Sequence, residues 1–170
     1  PLEEAIYDSV LCPREGNNYD VTSFVARGTA LEDHLTSYRE RDIAPDVVAC
    51  EQAALYAFAR HTAGDASSII VVHTTATYSL ILHISEGKLL SSHLLDKGYS
   101  PLLKSFCRER NLEAAEGYKE LTELFWGKNA LPRYFDEDIH AFDKEVAKTV
   151  KALLPNNKNA SPPTVITTGF

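Results

Sequence analysis

Two apolar-rich runs, residues 5–12 and 19–27, flank the polar cluster Pro13-Arg14-Glu15-Gly16-Asn17-Asn18, and that spacing predicts a β-hairpin whose second run alternates imperfectly. Thr29 followed three residues later by Glu32 reads as a capping box. Leu31, Leu35 and Tyr38 then recur at helical spacing, which predicts a helix to about residue 41. After Pro45 the short run Val47-Val48-Ala49-Cys50 predicts a buried strand over 46–51, and Leu55, Phe58 and Ala59 give the next segment a helical stripe. The first third therefore reads β-β-α-β-α.

Gly64-Asp65 breaks the chain before Ser68-Ile69-Ile70-Val71-Val72, an unbroken β-branched run that suits a central strand covered on both faces. Tyr78, Leu80, Leu82 and Ile84 alternate with Thr77, Ser79 and His83, so the following strand is expected to show one polar face. Ser85-Glu86-Gly87-Lys88 turns it into a third strand ending near Leu95. Ser100-Pro101 reads as an N-cap and a first-turn proline, opening a helix with Leu102, Leu103, Phe106 and Cys107 inward. The strongest helical period starts at Asp136: Ile139, Phe142, Val146, Val150 and Leu153 form its inner stripe, while Lys144, Lys148 and Lys151 mark its wet side. A polar loop over 156–163 leads into a last short strand, Thr164-Val165-Ile166-Thr167.

Composition narrows the partners. A chain of 170 residues is long enough to bury about 70% of its unfolded surface without disulfide or metal staples. A net charge of −7, a pI near 5.3 and the lack of any clustered Lys/Arg run argue against nucleic acid or an anionic membrane as main partner. No apolar run is long enough to span a bilayer, and Pro1-Leu2-Glu3-Glu4 carries acid where a signal peptide carries positive charge. Cys12, Cys50 and Cys107 form neither a disulfide framework nor zinc-ligand spacing, which predicts buried, reduced thiols. The sequence contains no methionine, and we expect it to be a piece of a longer chain.

Candidate chemistry is sparse. Gly98-Tyr99-Ser100-Pro101-Leu102 superficially matches a nucleophile elbow, but Leu102 stands where that motif needs glycine. Pro101 also lacks the backbone N–H that would serve as oxyanion donor. His73, His83 and His93 fall on successive strands at steps that have no ligand logic, so they read as hydrogen-bonded or surface histidines. Asp136, Glu137 and Asp138 complement a helix dipole. The aromatic group Phe125, Trp126, Tyr134 and Phe135 is a candidate partner anchor on an exposed connection. Neither common phosphate-binding glycine loop occurs.

The order of elements and several stretches of sequence together resemble a known family. Ala44-Pro45-Asp46-Val47-Val48-Ala49-Cys50-Glu51-Gln52-Ala53-Ala54-Leu55 resembles the inter-subdomain junction of the actin-like pilus-assembly family, which includes the type IV pilus assembly protein PilM and the cytoplasmic domain of its type II secretion relative GspL. Residues 68–72, 78–84 and Glu86-Gly87-Lys88-Leu89-Leu90 resemble the family's central strand and following hairpin. Gly98-Tyr99-Ser100-Pro101-Leu102 resembles its glycine-led helix start, and residues 164–169 its last strand before a glycine pair. The departures are as informative. His73-Thr74-Thr75 stands where the family has Asp-Ile-Gly, so the carboxylate that orients metal-bound water is missing there, and Gly169-Phe170 replaces the glycine pair beside the adenosine.

The resemblance implies an α/β fold, an actin-like (ribonuclease-H-like) lobe over residues 51–170 with a small inserted α/β subdomain (hairpin, helix, strand) over 1–50. It implies a non-catalytic scaffold of a bacterial pilus or type II secretion apparatus, cytoplasmic at the inner-membrane face, acting through protein partners and without a cofactor. A groove between residues 5–46 and the lobe from about residue 67 is the expected peptide-binding surface, to be probed by Phe24→Asp if Phe24 is exposed. Thr74, Thr75 and Gly169 mark the vestigial nucleotide position. The competing reading is the nucleotide-binding lobe of an ATP- and magnesium-dependent kinase or ATPase of the same superfold, which a carboxylate near Thr74 in space, together with a strand-turn of small residues upstream in the parent gene, would favour. An unrelated α/β domain is the third.

Overall fold

The computed structural model describes residues 4–13, 16, 18–126, 136–154 and 161–169. Among them the chain forms six strands and five helices: β1 (Ala5–Pro13), β2 (Tyr19–Arg27), α1 (Gly28–Arg39), α2 (Glu51–Ala63), β3 (Ser68–Thr74), β4 (Ser79–Ser85), β5 (Lys88–Leu95), α3 (Ser100–Arg110), α4 (Ala114–Trp126), α5 (Asp136–Leu153) and β6 (Thr164–Thr168). Strands β1 and β2 pair only with each other, antiparallel, from Ala5↔Arg27 to Pro13↔Tyr19. The other four form one sheet in the order β5-β4-β3-β6, antiparallel throughout except for the parallel pair β3–β6.

The β-branched run puts β3 at the interior of that sheet, where Ile69, Ile70, Val71 and Val72 are buried. On one face Ile69, Val71, Leu80, Leu82 and Ile84 pack with Leu55 and Ala59 of α2. On the other, Ile70, Val72, Ile81 and Leu95 pack with Val146, Val150 and Leu153 of α5, the helix whose inner stripe the sequence marks. A third cluster, around Phe106 of α3 and Leu121 of α4, takes in Ile139 at the start of α5. Helix, sheet and helix thus make a three-layer lobe. Gly117 lets α3 and α4 approach, since a Cβ there would collide with Cys107 Sγ.

Five expectations are corrected. Residues 46–50 form no strand, because Val47 and Val48 are exposed at 82% and 47% with no sheet edge to join. Among the described residues of 1–50 there are a hairpin and a helix but no third strand. Cys50, the residue before α2, is accordingly exposed, and Cys107 is half-buried. Thr29 lies inside α1, whose N-cap is Arg27 without a side-chain cap, and Ser100 is the first helical residue after Tyr99, also uncapped by a side chain. The polar face expected of β4 is not exposed to water: its Ile81 packs on α5, Ser79 and His83 are buried, Ser79 Oγ bonds to the Lys97 carbonyl, and His83 Nε2 lies 3.4 Å from Ser68 Oγ. Helix α4 has no counterpart in the sequence reading. Of the proposed aromatic anchor, Trp126 ends α4 in backbone terms, the side chains of Phe125 and Trp126 lie outside the described residues, and so do Tyr134 and Phe135.

Candidate functional site at the ends of strands 3 and 6

Because β3 and β6 run parallel, their C-terminal ends lie side by side, His73 opposite Thr168. His73 Nδ1 is 2.7 Å from Thr168 Oγ1, and His73 Nε2 is 3.0 Å from Glu51 Oε1, the carboxylate of the first residue of α2. The Tyr78 hydroxyl, just before β4, donates to the same carboxylate at 3.1 and 3.0 Å from its two oxygens. Four chain segments therefore meet on one carboxylate–imidazole–hydroxyl group. The His73 and Glu51 side chains keep 18% and 34% of their surface. The hydrogen bond to Glu51, then burial, then the Glu51 charge raise the Tyr78 phenol above its ordinary value of 10.0. With Nε2–H directed at Glu51, a neutral His73 accepts the Thr168 hydroxyl proton at Nδ1. A protonated ring instead donates from both nitrogens and turns that hydroxyl around.

The turn beside this group is fixed from two sides. Thr75 Oγ1 donates to the Tyr78 carbonyl at 3.0 Å and accepts the Tyr78 and Thr77 N–H groups at 3.1 and 3.3 Å. From the far side, Tyr99 N–H and Ser100 N–H donate to the Thr75 and Ala76 carbonyls at 3.0 and 2.8 Å. Gly98 makes this possible, because any Cβ there would collide with the Thr75 carbonyl and the Ala76–Thr77 peptide. Ser79 Oγ donates to the Lys97 carbonyl at 2.7 Å and lies 3.2 Å from Thr74 Oγ1. The glycine that begins the family-like helix motif is thus a packing glycine.

The three residues marked from the sequence are placed as follows. Thr74 and Gly169 are brought together: Gly169, at φ +102°, leaves no room for a Cβ between itself, the Thr74 carbonyl and the His73 ring. Thr75 holds the turn. Glu51, Tyr78 and Thr168 are not candidate site residues in the sequence, where His73 reads as a hydrogen-bonded or surface histidine standing in the place of the family's aspartate. A glutamate at a helix start reads as a dipole complement, and nothing in the spacing of residues 51, 73, 78 and 168 announces their meeting. A nucleotide and its magnesium do not fit these side chains as they stand, because the Thr74 and Thr75 hydroxyls and the Glu51 carboxylate are all engaged within the protein. Among the described residues no group of three or more His, Cys, Asp or Glu side chains is arranged to hold a metal ion.

Neither a protein-family model nor a curated protein matches the sequence. Among solved structures the chain is similar to one in the PilM–PilN type IV pilus biogenesis complex, with a TM-score of 0.67 and 18% identity over 98% of this chain. The chain has the actin-like fold. It spans 50% of that neighbour's length. The ethanolamine utilization protein EutJ from Carboxydothermus hydrogenoformans is a more distant match, with a TM-score of 0.46 and 12% identity over 95% of this chain and 76% of its own. No helix among the described residues is long and apolar enough to cross a membrane.

Proposed function

We propose that the chain is a non-catalytic, actin-like scaffold segment of a pilus or type II secretion assembly apparatus, acting by binding other proteins at the cytoplasmic face of the inner membrane, with no cofactor. The observation that carries the reading is the closure of the strand ends. Where this fold class presents open backbone and a carboxylate to phosphates, Glu51, His73, Tyr78 and Thr168 bond to one another, which leaves Thr74, Thr75 and Gly169 as a vestigial nucleotide position. The fold match to a pilus biogenesis protein supports the setting. Calorimetry with Mg-ATP is expected to give no binding in the micromolar range, and one saturable micromolar site would overturn the non-catalytic part. Pull-down with the intact parent protein is expected to recover apparatus components, and a parent that is well expressed yet recovers none would overturn the scaffold part.

One observation favours the nucleotide-binding lobe of an ATP-dependent kinase or ATPase: a carboxylate does reach the end of β3, supplied by Glu51 from α2. For a magnesium-bound nucleotide to use it, the His73 and Tyr78 contacts would have to open. On that reading the double variant His73→Ala/Tyr78→Phe, which removes both partners of Glu51, raises affinity for Mg-ATP, whereas the scaffold reading expects no change. Phe24 is half-buried on the inner face of the hairpin, so Phe24→Asp would report packing as much as a peptide groove, and an exposed position is the better probe.

A further inference from the structure

The register of the hairpin sorts its side chains onto two faces. On the even-numbered face of β2, Asp20, Thr22 and Phe24 are half-buried and Asp20 Oδ2 pairs with Lys88 Nζ of β5 at 2.7 Å, while Ile6 of β1 on that face keeps 49% of its surface. The odd-numbered residues form the outer face, on which Tyr7, Leu11, Tyr19, Val21 and Val25 are exposed at 76, 60, 60, 57 and 68%. Isolated exposed apolar residues are ordinary, but five on one continuous sheet face are not. Among the described residues of this face only Arg27, at one end, carries a charge.

The polar groups at its centre are already paired with each other. Ser9 Oγ and Ser23 Oγ, directly paired across the strands, lie 2.9 Å apart in a mutual hydrogen bond. On leaving water each hydroxyl of the pair keeps one partner, and one O–H proton is left to donate across the interface. The face is also nearly symmetric about it, with Tyr7↔Val25 one step away in one direction and Leu11↔Val21 in the other. A partner rich in charge would strand its charges here, whereas a second copy of the same face matches apolar to apolar and leaves Arg27 at the rim.

We infer that this outer face is a self-association surface, packed against the same face of a second copy about a twofold axis running across the strands through Ser9 and Ser23. Tyr7 then lies over Leu11 of the second copy and Val25 over its Val21, two small sheets stacked as in a sandwich. Two tyrosines and three aliphatic side chains at these exposures expose roughly 500–600 Å² per copy, given about 150–250 Å² for an aromatic residue. Two copies together reach about 1,000–1,200 Å², the lower edge of specific interfaces. The dimer is accordingly weak. The net charge of −7 per copy opposes it, and added salt strengthens it.

Sedimentation equilibrium on the 170-residue chain tests this. The mass is expected to rise with concentration from 18.8 kDa toward twice that value, and to rise further with salt. Leu11→Glu and Val25→Glu each weaken the dimer at least tenfold while far-UV circular dichroism stays unchanged, both side chains being exposed. Mixing Val25→Glu with Val21→Lys chains restores association, because the twofold places these positions opposite each other. A mass that stays at the monomer value up to ~1 mM, or a dimer indifferent to both glutamates, would overturn the inference. So would a monomer that uses this face only to capture a different protein.

Discussion

Tyr78 gives the candidate site its clearest pH signature. Its phenol is raised above 10.0, so the folded chain holds that proton more tightly than the unfolded chain. The resulting stability is complete below pH 10 and is lost as pH climbs through the raised value. Tyr78→Phe should lower the urea stability by about 1 kcal/mol at neutral pH, the order of one hydrogen bond to a partly exposed charge, and should flatten the alkaline limb. An alkaline limb as steep as in the wild type would mean that another phenol sets it. Tyr99, raised first by burial and then by the neighbouring Tyr118, is the next to test. Gly98 tests the clamp on the β3–β4 turn. Gly98→Ala forces a methyl into backbone and should cost about 1–3 kcal/mol or more, seen as a lower denaturation midpoint. A neutral result would mean that the turn can retreat.

At the scale of elements, stability is divided unequally. No described side chain in residues 4–50 is fully buried, whereas β4 buries six residues in succession. A two-stranded sheet is marginal alone. Native-state hydrogen exchange in residues 5–39 should therefore be faster by orders of magnitude than in β3 and β4, which should exchange only through global opening. Equal protection would show that the hairpin and α1 belong to the main cooperative unit. The second element-scale prediction concerns the α3–α4–α5 cluster. Phe106→Ala should cost about 3–5 kcal/mol, far more than breaking the exposed ion pair Lys97–Glu145, which should be worth under about 1 kcal/mol. Chemical denaturation of both variants decides the order.

Across the whole molecule, the described sheet ends at one edge on β6, and its crossing to β3 creates the candidate site. What the sequence by itself determined was everything local in period. The unbroken β-branched run of residues 68–72 could only be an interior strand, and the stripe from Ile139 to Leu153 could only be a helix lying on apolar surface, since each pattern fixes which faces must leave water. It was less reliable where burial depends on a distant partner. Val47 to Cys50 carries strand propensity but finds no neighbouring strand, and Ser79 and His83 read as a wet face until α5 and the segment at Lys97 close over that side of β4. Helix α4 escaped although Leu121 and Leu124 form its inner side, because the fit of Gly117 against Cys107 is a property of two helices rather than of one stripe. The candidate site was the least legible. Thr74, Thr75 and Gly169 could be marked by resemblance, but the meeting of Glu51, His73, Tyr78 and Thr168 spans more than a hundred residues. Only the parallel register of β6 on β3, with α2 starting above it, brings those groups within hydrogen-bond reach, because directional bonds depend on positions that local periodicity does not encode.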